Sequence, residues 1–192
     1  MAAGGQPMTE ILPLPHFDAA RFMAIAAGYT AREVYRVSQH ESDARTTLRL
    51  SLVTLPEPAL YRFTYHPEEL DRYRALTPGA FSLGAYDGGE LAGVALAERH
   101  EWNRTLWVWE FHVDPARQGR GVGRRLMAAL AGRAAAAGLR AVVCETQNTN
   151  VGAIRFYRRL GFTLDGVDVS HYTNHDMEPG GTVAVFMKRR LP

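Results

Sequence analysis

The sequence has one cysteine, one lysine and no long apolar run, and each scarcity excludes a class of protein. Cys144 has no second cysteine to pair with, which excludes an internal disulfide and a zinc site built from several thiolates. No apolar run reaches the roughly 18 residues of a membrane span, and the N-terminus lacks the basic-then-apolar order of a signal peptide. These absences predict a cytoplasmic protein with no membrane partner.

Charge and length further limit the classes of protein to which the sequence could belong. Of the 22 basic residues only Lys188 is a lysine, yet the formal net charge is only +2. That balance is too mild for an obligate nucleic-acid binder, so no nucleic-acid partner is predicted. It would suit an anionic small ligand if guanidinium groups were concentrated at one place. The 192 residues, 46% of them hydrophobic, are enough for one packed domain.

Local patterns predict a flexible tail over residues 1–15 and a single mixed α/β domain over residues 16–192. Residues 1–15 are rich in glycine, proline and small side chains, with no periodicity. A hairpin is predicted around Asp87-Gly88-Gly89, where two strand-like runs flank a turn sequence. The predicted helices are 18–27, 67–76, 123–137 and 151–160, and the predicted strands are 46–53, 81–86, 91–97, 106–113, 141–146, 162–172 and 182–188.

A glycine-rich turn, 118–125, lies between a predicted strand and a predicted helix. Unpaired backbone N–H groups and the helix dipole favour an anion there, and glycine lets a ligand approach the backbone closely. Arg117, Arg120, Arg124 and Arg125 surround the turn, so it could hold a pyrophosphate; the alternative is a tight turn with a solvated basic face. The spacing fits neither Gly-x-Gly-x-x-Gly nor the P-loop, which disfavours a dinucleotide dehydrogenase and a P-loop NTPase.

Two sequence blocks together resemble the GNAT superfamily of N-acetyltransferases. Gln118-x-x-Gly121-x-Gly123 is similar to the acetyl-CoA signature of that family. The second block matches the helix that follows in the family: Asn150-x-x-Ala153-x-x-Phe156-Tyr157-x-x-Leu160-Gly161-Phe162. Trp102-Asn103-Arg104, Glu145-Thr146-Gln147 and Val167-Asp168 with Tyr172 further resemble streptothricin acetyltransferases and their relatives. The resemblance covers about residues 88–191.

The resemblance implies a GNAT fold and direct transfer of an acetyl group from acetyl-CoA to a primary amine. In that fold a central, mostly antiparallel sheet is splayed around one parallel pair of strands, here 106–113 and 141–146, with flanking helices. The acceptor implied is a small molecule such as a streptothricin-like antibiotic. A protein or peptide amine remains an alternative, and so does a noncatalytic regulator that binds acyl-CoA.

The resemblance also assigns residues to the cofactor. The strand backbone would pair with the pantetheine arm, the glycine turn would hold the pyrophosphate, and Asn150 would bind the arm or cap its helix. The residues implied for acetyl-CoA are Phe111, His112, Val113, Gln118, Gly119, Arg120, Gly121, Val122, Gly123, Arg124, Asn150, Ala153 and Tyr157.

Three residues are candidates for proton transfer. Attack on a thioester requires an uncharged amine, so a base or a water relay must remove a proton. Glu110 is the first choice, because many members of the family carry an acidic residue at this place, and His112 is the second, because an imidazole suits proton relay at neutral pH. For either residue, a structural hydrogen bond is the alternative. Strand alternation puts both on one face, opposite Phe111 and Val113. Tyr157 matches the family tyrosine near the thioester sulfur; it could protonate the leaving thiolate, orient the thioester, or simply pack in the core.

The C-terminal part of the chain suggests two further features. Asp168, Tyr172, Asp176 and Glu178 could border the entrance for a cationic amine, although solvated loop charge is the preferred explanation for Asp176 and Glu178. A metal site is not predicted, because His171 and His175 lie in a strand end and loop rather than on a helix. The strand 182–188 could form a sheet-edge homodimer.

Overall fold

A computed structural model of the protein describes residues 9–192, which divide into two compact units. The first unit holds Phe63–Val142 together with the chain up to Ala27 and Arg190–Pro192; the second holds Gly28–Arg62 and Val143–Arg189. No helix within residues 9–192 is both long and apolar enough to cross a membrane.

The described chain forms four α-helices, nine strands and one short 3₁₀ helix, so the mixed α/β prediction is confirmed. In chain order they are β1 Glu10–Pro13, α1 Ala19–Ile25, β2 Tyr29–Ser42, β3 Arg45–Tyr61, α2 Pro67–Ala75, β4 Leu83–Asp87, β5 Glu90–His100, β6 Thr105–Val113, the 3₁₀ helix Pro115–Arg117, α3 Val122–Ala136, β7 Ala141–Gln147, α4 Val151–Arg159, β8 Thr163–Asp168 and β9 Ala184–Arg190.

In the first unit, β1, β4, β5 and β6 pair antiparallel in that order. The hairpin predicted around Asp87-Gly88-Gly89 is present as β4 and β5. Helix α3 packs on these strands, and its buried residues include Leu126, Met127 and Leu130. A separate buried cluster lines α1 and α2 and contains Phe22, Tyr73, Val94 and Leu96.

The predicted tail is wrong in part. Residues 1–8 lie outside the described residues, but Glu10–Pro13 form β1 and pair with β4 from Tyr86 to Leu83. Leu14 follows at 4% exposure in the core cluster. The sequence offered only one short run, Glu10-Ile11-Leu12, and the sheet edge of β4 supplies the pairing that makes it a strand.

The second unit contains a hairpin much longer than the strand 46–53 predicted from alternation. Strands β2 and β3 pair from Ser42 and Arg45 near the turn to Tyr29 and Tyr61 at the base. Strand β3 includes Pro56 and Pro58, which normally argue against a strand and are tolerated at an unpaired edge. Helix α4 and the antiparallel strands β8 and β9 complete this unit.

A one-residue bulge in β6 decides which side chains face which layer. Leu96 pairs with Glu110 and Ala97 with Val108, so Trp109 is an extra residue with no partner in β5. Val108 therefore shares the α3 side with Phe111 and Val113. Glu110 and His112 share the α1 and α2 side with Leu96 and Val94. The predicted separation of Glu110 and His112 from Phe111 and Val113 is confirmed.

The bulged residue is itself held on two sides. Trp109 Nε1 donates a hydrogen bond of 3.0 Å to Glu98 Oε2, and the Arg72 guanidinium lies 3.5 Å from the indole centroid. Burial opposes ionisation of Glu98, but the hydrogen bonds from Trp109 and Arg72 outweigh it and lower its carboxyl pKa. Strand β6 thus keeps its bulge through contacts with β5 and α2.

Candidate active site

Glu110 and His112 form a hydrogen-bonded pair at the end of β6. His112 Nε2 lies 2.5 Å from Glu110 Oε2, and the two side chains are 16% and 11% exposed. An ionised carboxylate can only accept, so the shared hydrogen belongs to Nε2. The other ring nitrogen, Nδ1, then carries a lone pair whenever the imidazole is neutral. A carboxylate that orients an imidazole in this way is an arrangement suited to proton transfer.

Two tyrosines from the first half of the chain also bind the Glu110 carboxylate. The Tyr73 hydroxyl donates to Oε1 at 2.5 Å, and the Tyr65 hydroxyl donates to Oε2 at 3.3 Å. Burial and the charge of Glu110 raise the pKa of both phenols above their ordinary 10.0. They therefore remain protonated donors at neutral pH, and Glu110 accepts three hydrogen bonds.

The imidazole of His112 stands among aromatic edges. Its ring centroid lies 5.8 Å from that of Phe22 and 5.4 Å from that of Phe63, both in edge-to-face orientation. Apolar walls of this kind exclude water and strengthen the electrostatic interactions between groups inside.

The glycine turn follows the strand that carries the pair, after one short 3₁₀ helix. Gly119 and Gly121 have φ values of 75° and 79°, a conformation that favours glycine. A Cβ placed on either residue would meet nothing within 4 Å, so the space above the turn is open. Gly121 is the N-cap of α3 and supplies no side-chain cap. The first backbone N–H groups of a 15-residue helix thus face a space that an anion could fill.

The four arginines around this turn do not share one role. Arg117 is paired with Asp87 at 2.5 Å and Glu90 at 3.0 Å, and Arg125 donates to the Thr9 hydroxyl at 2.8 Å. Arg120 and Arg124 are exposed and form no ion pair within residues 9–192. The predicted cluster of four cations is therefore wrong for Arg117, because the hairpin carboxylates neutralise it. Gln118 bonds the Val113 carbonyl at 3.1 Å.

The second unit carries the other predicted residues. Asn150 caps α4, where its Oδ1 accepts from the Ala153 backbone N–H at 3.0 Å, so the capping alternative is confirmed. Tyr157 is 6% exposed and packs on Phe156 and Phe162, with ring centroids 5.4 and 5.3 Å away. Its hydroxyl is hydrogen-bonded to Cys144, whose pKa is raised by complete burial. The thiol is therefore protonated and is not a nucleophile in this environment.

Sequence reasoning missed two residues that organise the described sites and assigned a third to the wrong setting. Tyr65 and Tyr73 lie in the half of the chain that the resemblance does not cover, and a tyrosine in a loop or a short helix carries no local signal for a contact with Glu110. Asp176 is only 3% exposed, so its interpretation as solvated loop charge is wrong. Its carboxylate accepts from the backbone N–H groups of Tyr172 and Thr173, both at 2.8 Å.

The loop histidines offer no metal site in this structure. His175 pairs with Glu178 at 2.8 Å and His171 with Asp168 at 3.6 Å. No group of three or more potential ligands from histidine, cysteine, aspartate or glutamate is gathered anywhere in residues 9–192.

Comparison with known proteins decides the family. The model of the acetyltransferase (GNAT) family matches residues 49–162, which is more than half of the chain. The chain belongs to this family. A streptothricin acetyltransferase from Streptomyces lavendulae is 36% identical to this chain over 104 residues, which cover 54% of each of the two chains. The match thus spans about half the length of that curated relative.

Solved structures extend the likeness over nearly the whole GNAT chain. The crystal structure of nourseothricin acetyltransferase superposes with a TM-score of 0.72 at 29% identity and covers 96% of this chain and 99% of its own. A Bacillus anthracis protein solved with acetyl coenzyme A superposes with a TM-score of 0.71 over 98% of this chain and 100% of its own. At 19% identity that second likeness shows the fold alone. The GNAT fold implied by the two sequence blocks is confirmed.

Proposed function

We propose that the protein transfers an acetyl group from acetyl-CoA to a primary amine of a small cationic molecule, by direct attack without an acyl-enzyme. The observation that carries this proposal is the Glu110–His112 pair, which lies near the end of β6, separated from the open glycine turn by one short 3₁₀ helix. One strand thus joins a group able to take a proton to a backbone able to hold a phosphate.

The residues of the glycine turn fit the pyrophosphate of acetyl-CoA. The open space at Gly119 and Gly121, the uncapped N-terminus of α3 and the unpaired Arg120 and Arg124 all favour a multiply charged anion. Acetyl-CoA supplies the acetyl group as an activated thioester. We assign the backbone of 111–113 and Asn150 to the pantetheine arm, as the family resemblance implies; Asn150 Nδ2 can donate while Oδ1 caps α4.

The Glu110–His112 pair is assigned to the amine. An ammonium acceptor must lose a proton before its nitrogen can attack, and Nδ1 of a neutral His112 can take that proton. Glu110 would then stabilise the imidazolium, while Tyr73 and Tyr65 fix the position of the carboxylate. Of the alternatives left by the sequence, we favour the pair acting together over Glu110 acting alone.

Tyr157 is assigned to the leaving group. When the nitrogen forms its bond to the acetyl carbon, the carbon–sulfur bond breaks and the thiolate of CoA requires a proton. A phenol can supply it, and the second proton, which the attacking nitrogen loses as the amide forms, can restore the phenol through water. Core packing on Phe156 and Phe162 holds the ring of Tyr157, and its hydroxyl, bonded to Cys144, is the group of that side chain able to give a proton.

The acceptor class is supported by the relatives. The names of the Streptomyces lavendulae relative and of the 29% identical structure refer to streptothricin and nourseothricin. We therefore place a streptothricin-like antibiotic first among the small amines, and a protein or peptide amine second.

The test is release of CoA thiol from acetyl-CoA against a panel of streptothricin, aminoglycosides, polyamines, amino acids and short peptides. Binding of acetyl-CoA is measured in parallel by calorimetry. Release that depends on an acceptor supports the enzyme and identifies its substrate class, whereas release with peptides alone favours the second class. Tight binding without release from any acceptor favours a noncatalytic regulator, and the absence of acetyl-CoA binding refutes the proposal.

Two matched variants of α3 test whether the glycine turn binds acetyl-CoA. Arg124→Gln should weaken acetyl-CoA binding about tenfold, the size of one charge-assisted hydrogen bond. Arg133→Gln, near the other end of α3, removes the same charge and should leave the affinity unchanged. Equal losses in both variants would mean that only the overall charge of the helix matters.

A further inference from the structure

In the second unit, a stacked pair of tyrosines lies within electrostatic reach of a third tyrosine that is bonded to a glutamate. The rings of Tyr29 and Tyr61 stack with centroids 5.1 Å apart and planes 15° from parallel. The Tyr172 hydroxyl donates to Glu145 Oε1. We call Tyr29, Tyr61, Tyr172 and Glu145 the tyrosine cluster. None of its members belongs to the Glu110–His112 pair or to the glycine turn.

Strand β7 supplies the acidic member through its alternation. Cys144 and Thr146 are buried, whereas Glu145 and Gln147 point to the opposite, half-exposed face. Gln147 Nε2 donates to the Tyr172 hydroxyl at 3.2 Å, so both residues of that face hold the same phenol. Tyr29 is fixed separately, because its hydroxyl bonds the Thr149 hydroxyl at 2.7 Å.

The loop that carries Tyr172 is built to a fixed shape around Asp176. The carboxylate accepts from the backbone of Tyr172 and Thr173 and from the Thr173 hydroxyl, the last at 2.7 Å. A Cβ on Gly181 would lie 2.4 Å from the Asp176 carbonyl oxygen, so only glycine allows this approach of the loop to itself. Tyr172 nevertheless remains 42% exposed. A buried anchor therefore holds an aromatic ring at the surface.

The cluster carries one negative charge, that of Glu145, framed by neutral rings. Burial and the charge of Glu145 raise the pKa of Tyr172, and burial chiefly raises that of Tyr29. The phenols of Tyr29 and Tyr172 thus stay neutral across the physiological range. Electron-rich ring faces next to a carboxylate attract organic cations, whose low hydration makes the exchange of water for rings favourable.

We infer that the tyrosine cluster is a binding site for an organic cation, an alkylammonium or guanidinium group, built from the stacked rings of Tyr29 and Tyr61, the exposed ring of Tyr172 and the carboxylate of Glu145.

Direct binding tests the site without any turnover. Choline, which has no primary amine to acetylate, is titrated into protein labelled on its tyrosine rings, and 3,3-dimethylbutan-1-ol serves as the neutral probe of equal shape. Choline should shift tyrosine ring resonances, and the shifted resonances should be absent from the spectra of Tyr172→Phe or Tyr61→Phe. The neutral alcohol should shift none of these resonances. Equal shifts with both probes, or shifts confined to other tyrosines, would overturn the inference.

Variants separate the ring and charge contributions. Tyr61→Leu should weaken choline binding about two- to fivefold, the range for a cation on an exposed ring, and Glu145→Gln should weaken it to a similar degree. The controls are Tyr35→Leu, which removes a ring elsewhere in the same hairpin, and Glu41→Gln, which removes a charge near its turn. Each variant is first checked for an unchanged unfolding transition. If the controls weaken choline as strongly as the cluster variants, the site is refuted.

Discussion

Replacing Tyr73 by phenylalanine isolates the strongest support of the candidate active site. The substitution keeps the ring, which packs on Phe22 at 5.6 Å and Phe17 at 5.9 Å, and removes only the donor to Glu110 Oε1. A hydrogen bond to a charged group contributes about 1.5–3 kcal/mol, and one between neutral groups about 0.5–1.5 kcal/mol. Tyr73→Phe should therefore lower the free energy of unfolding by about 2 kcal/mol, and by about 1 kcal/mol less in a Glu110→Gln background.

The assay is a double-mutant cycle at pH 7 from urea unfolding curves. All three tryptophans lie in the first unit, on and beside β6, so indole fluorescence reports the unfolding of the part that contains the pair. Tyr65→Phe is the matched comparison and should cost less, because its bond to Glu110 is 3.3 Å long against 2.5 Å for Tyr73. Additivity of Tyr73→Phe and Glu110→Gln within about 0.5 kcal/mol would refute the reasoning.

The same variant has a defined pH signature. The folded state raises the pKa of Tyr73 above 10.0, so between that value and the folded pKa the native protein retains a proton that the unfolded chain releases. Stability attributed to this phenol is therefore complete below pH 10 and falls as the pH rises further. The fall should be shallower in Tyr73→Phe, and identical slopes in the two proteins would contradict the assignment.

Four further outcomes are expected. Tyr157→Phe should lower kcat more than it weakens acetyl-CoA binding, and equal turnover would exclude the hydroxyl as the acid. His112→Gln should reduce kcat about 100-fold and flatten the rise of activity with increasing pH, whereas an unchanged profile would point to a water relay. Gly132→Ala, at an exposed position inside α3 with open space around its Cβ, should raise stability by about 0.5–1 kcal/mol in thermal unfolding. Asp176→Asn should destabilise the protein at pH 7, and its difference from the native protein should shrink as the pH falls below 3.8, because hydrogen bonds outweigh burial and hold that carboxyl pKa below its ordinary value.

Local sequence predicts the regular helices and strands, but it does not predict the bulge in β6. Helix α3 is predicted from the glycine turn at its start and Gly138 after its end, and the structure agrees within two residues. The bulge at Trp109 depends on how β6 pairs with β5. The sequence of β6 alternates acceptably whether it pairs with or without an extra residue at that position. A single sequence holds no information on that choice until the partner strand is known.

The residues of the candidate site also divide into those that local sequence predicts and those that it does not. Glu110 and His112 are predictable because both lie on one strand, two residues apart. Tyr65 and Tyr73 are not, since 45 and 37 residues separate them from Glu110 and only tertiary packing brings them together. Arg117 illustrates the converse case: its local setting suggests a phosphate ligand, and two carboxylates of the distant hairpin neutralise it.

The bulge lets β6 lose one residue without changing which way its functional side chains face. Val108 and Glu110 flank the extra residue and already face opposite layers, because they pair with the consecutive residues Ala97 and Leu96 of β5. Deletion of Trp109 would therefore leave a strand of unbroken alternation, with Glu110 and His112 still facing α1 and α2. The deletion would remove the hydrogen bond to Glu98 and the contact with Arg72. A single-codon deletion at Trp109 should thus preserve the fold and lower its stability, so the position of the pair and the support of the bulge can be separated by one codon.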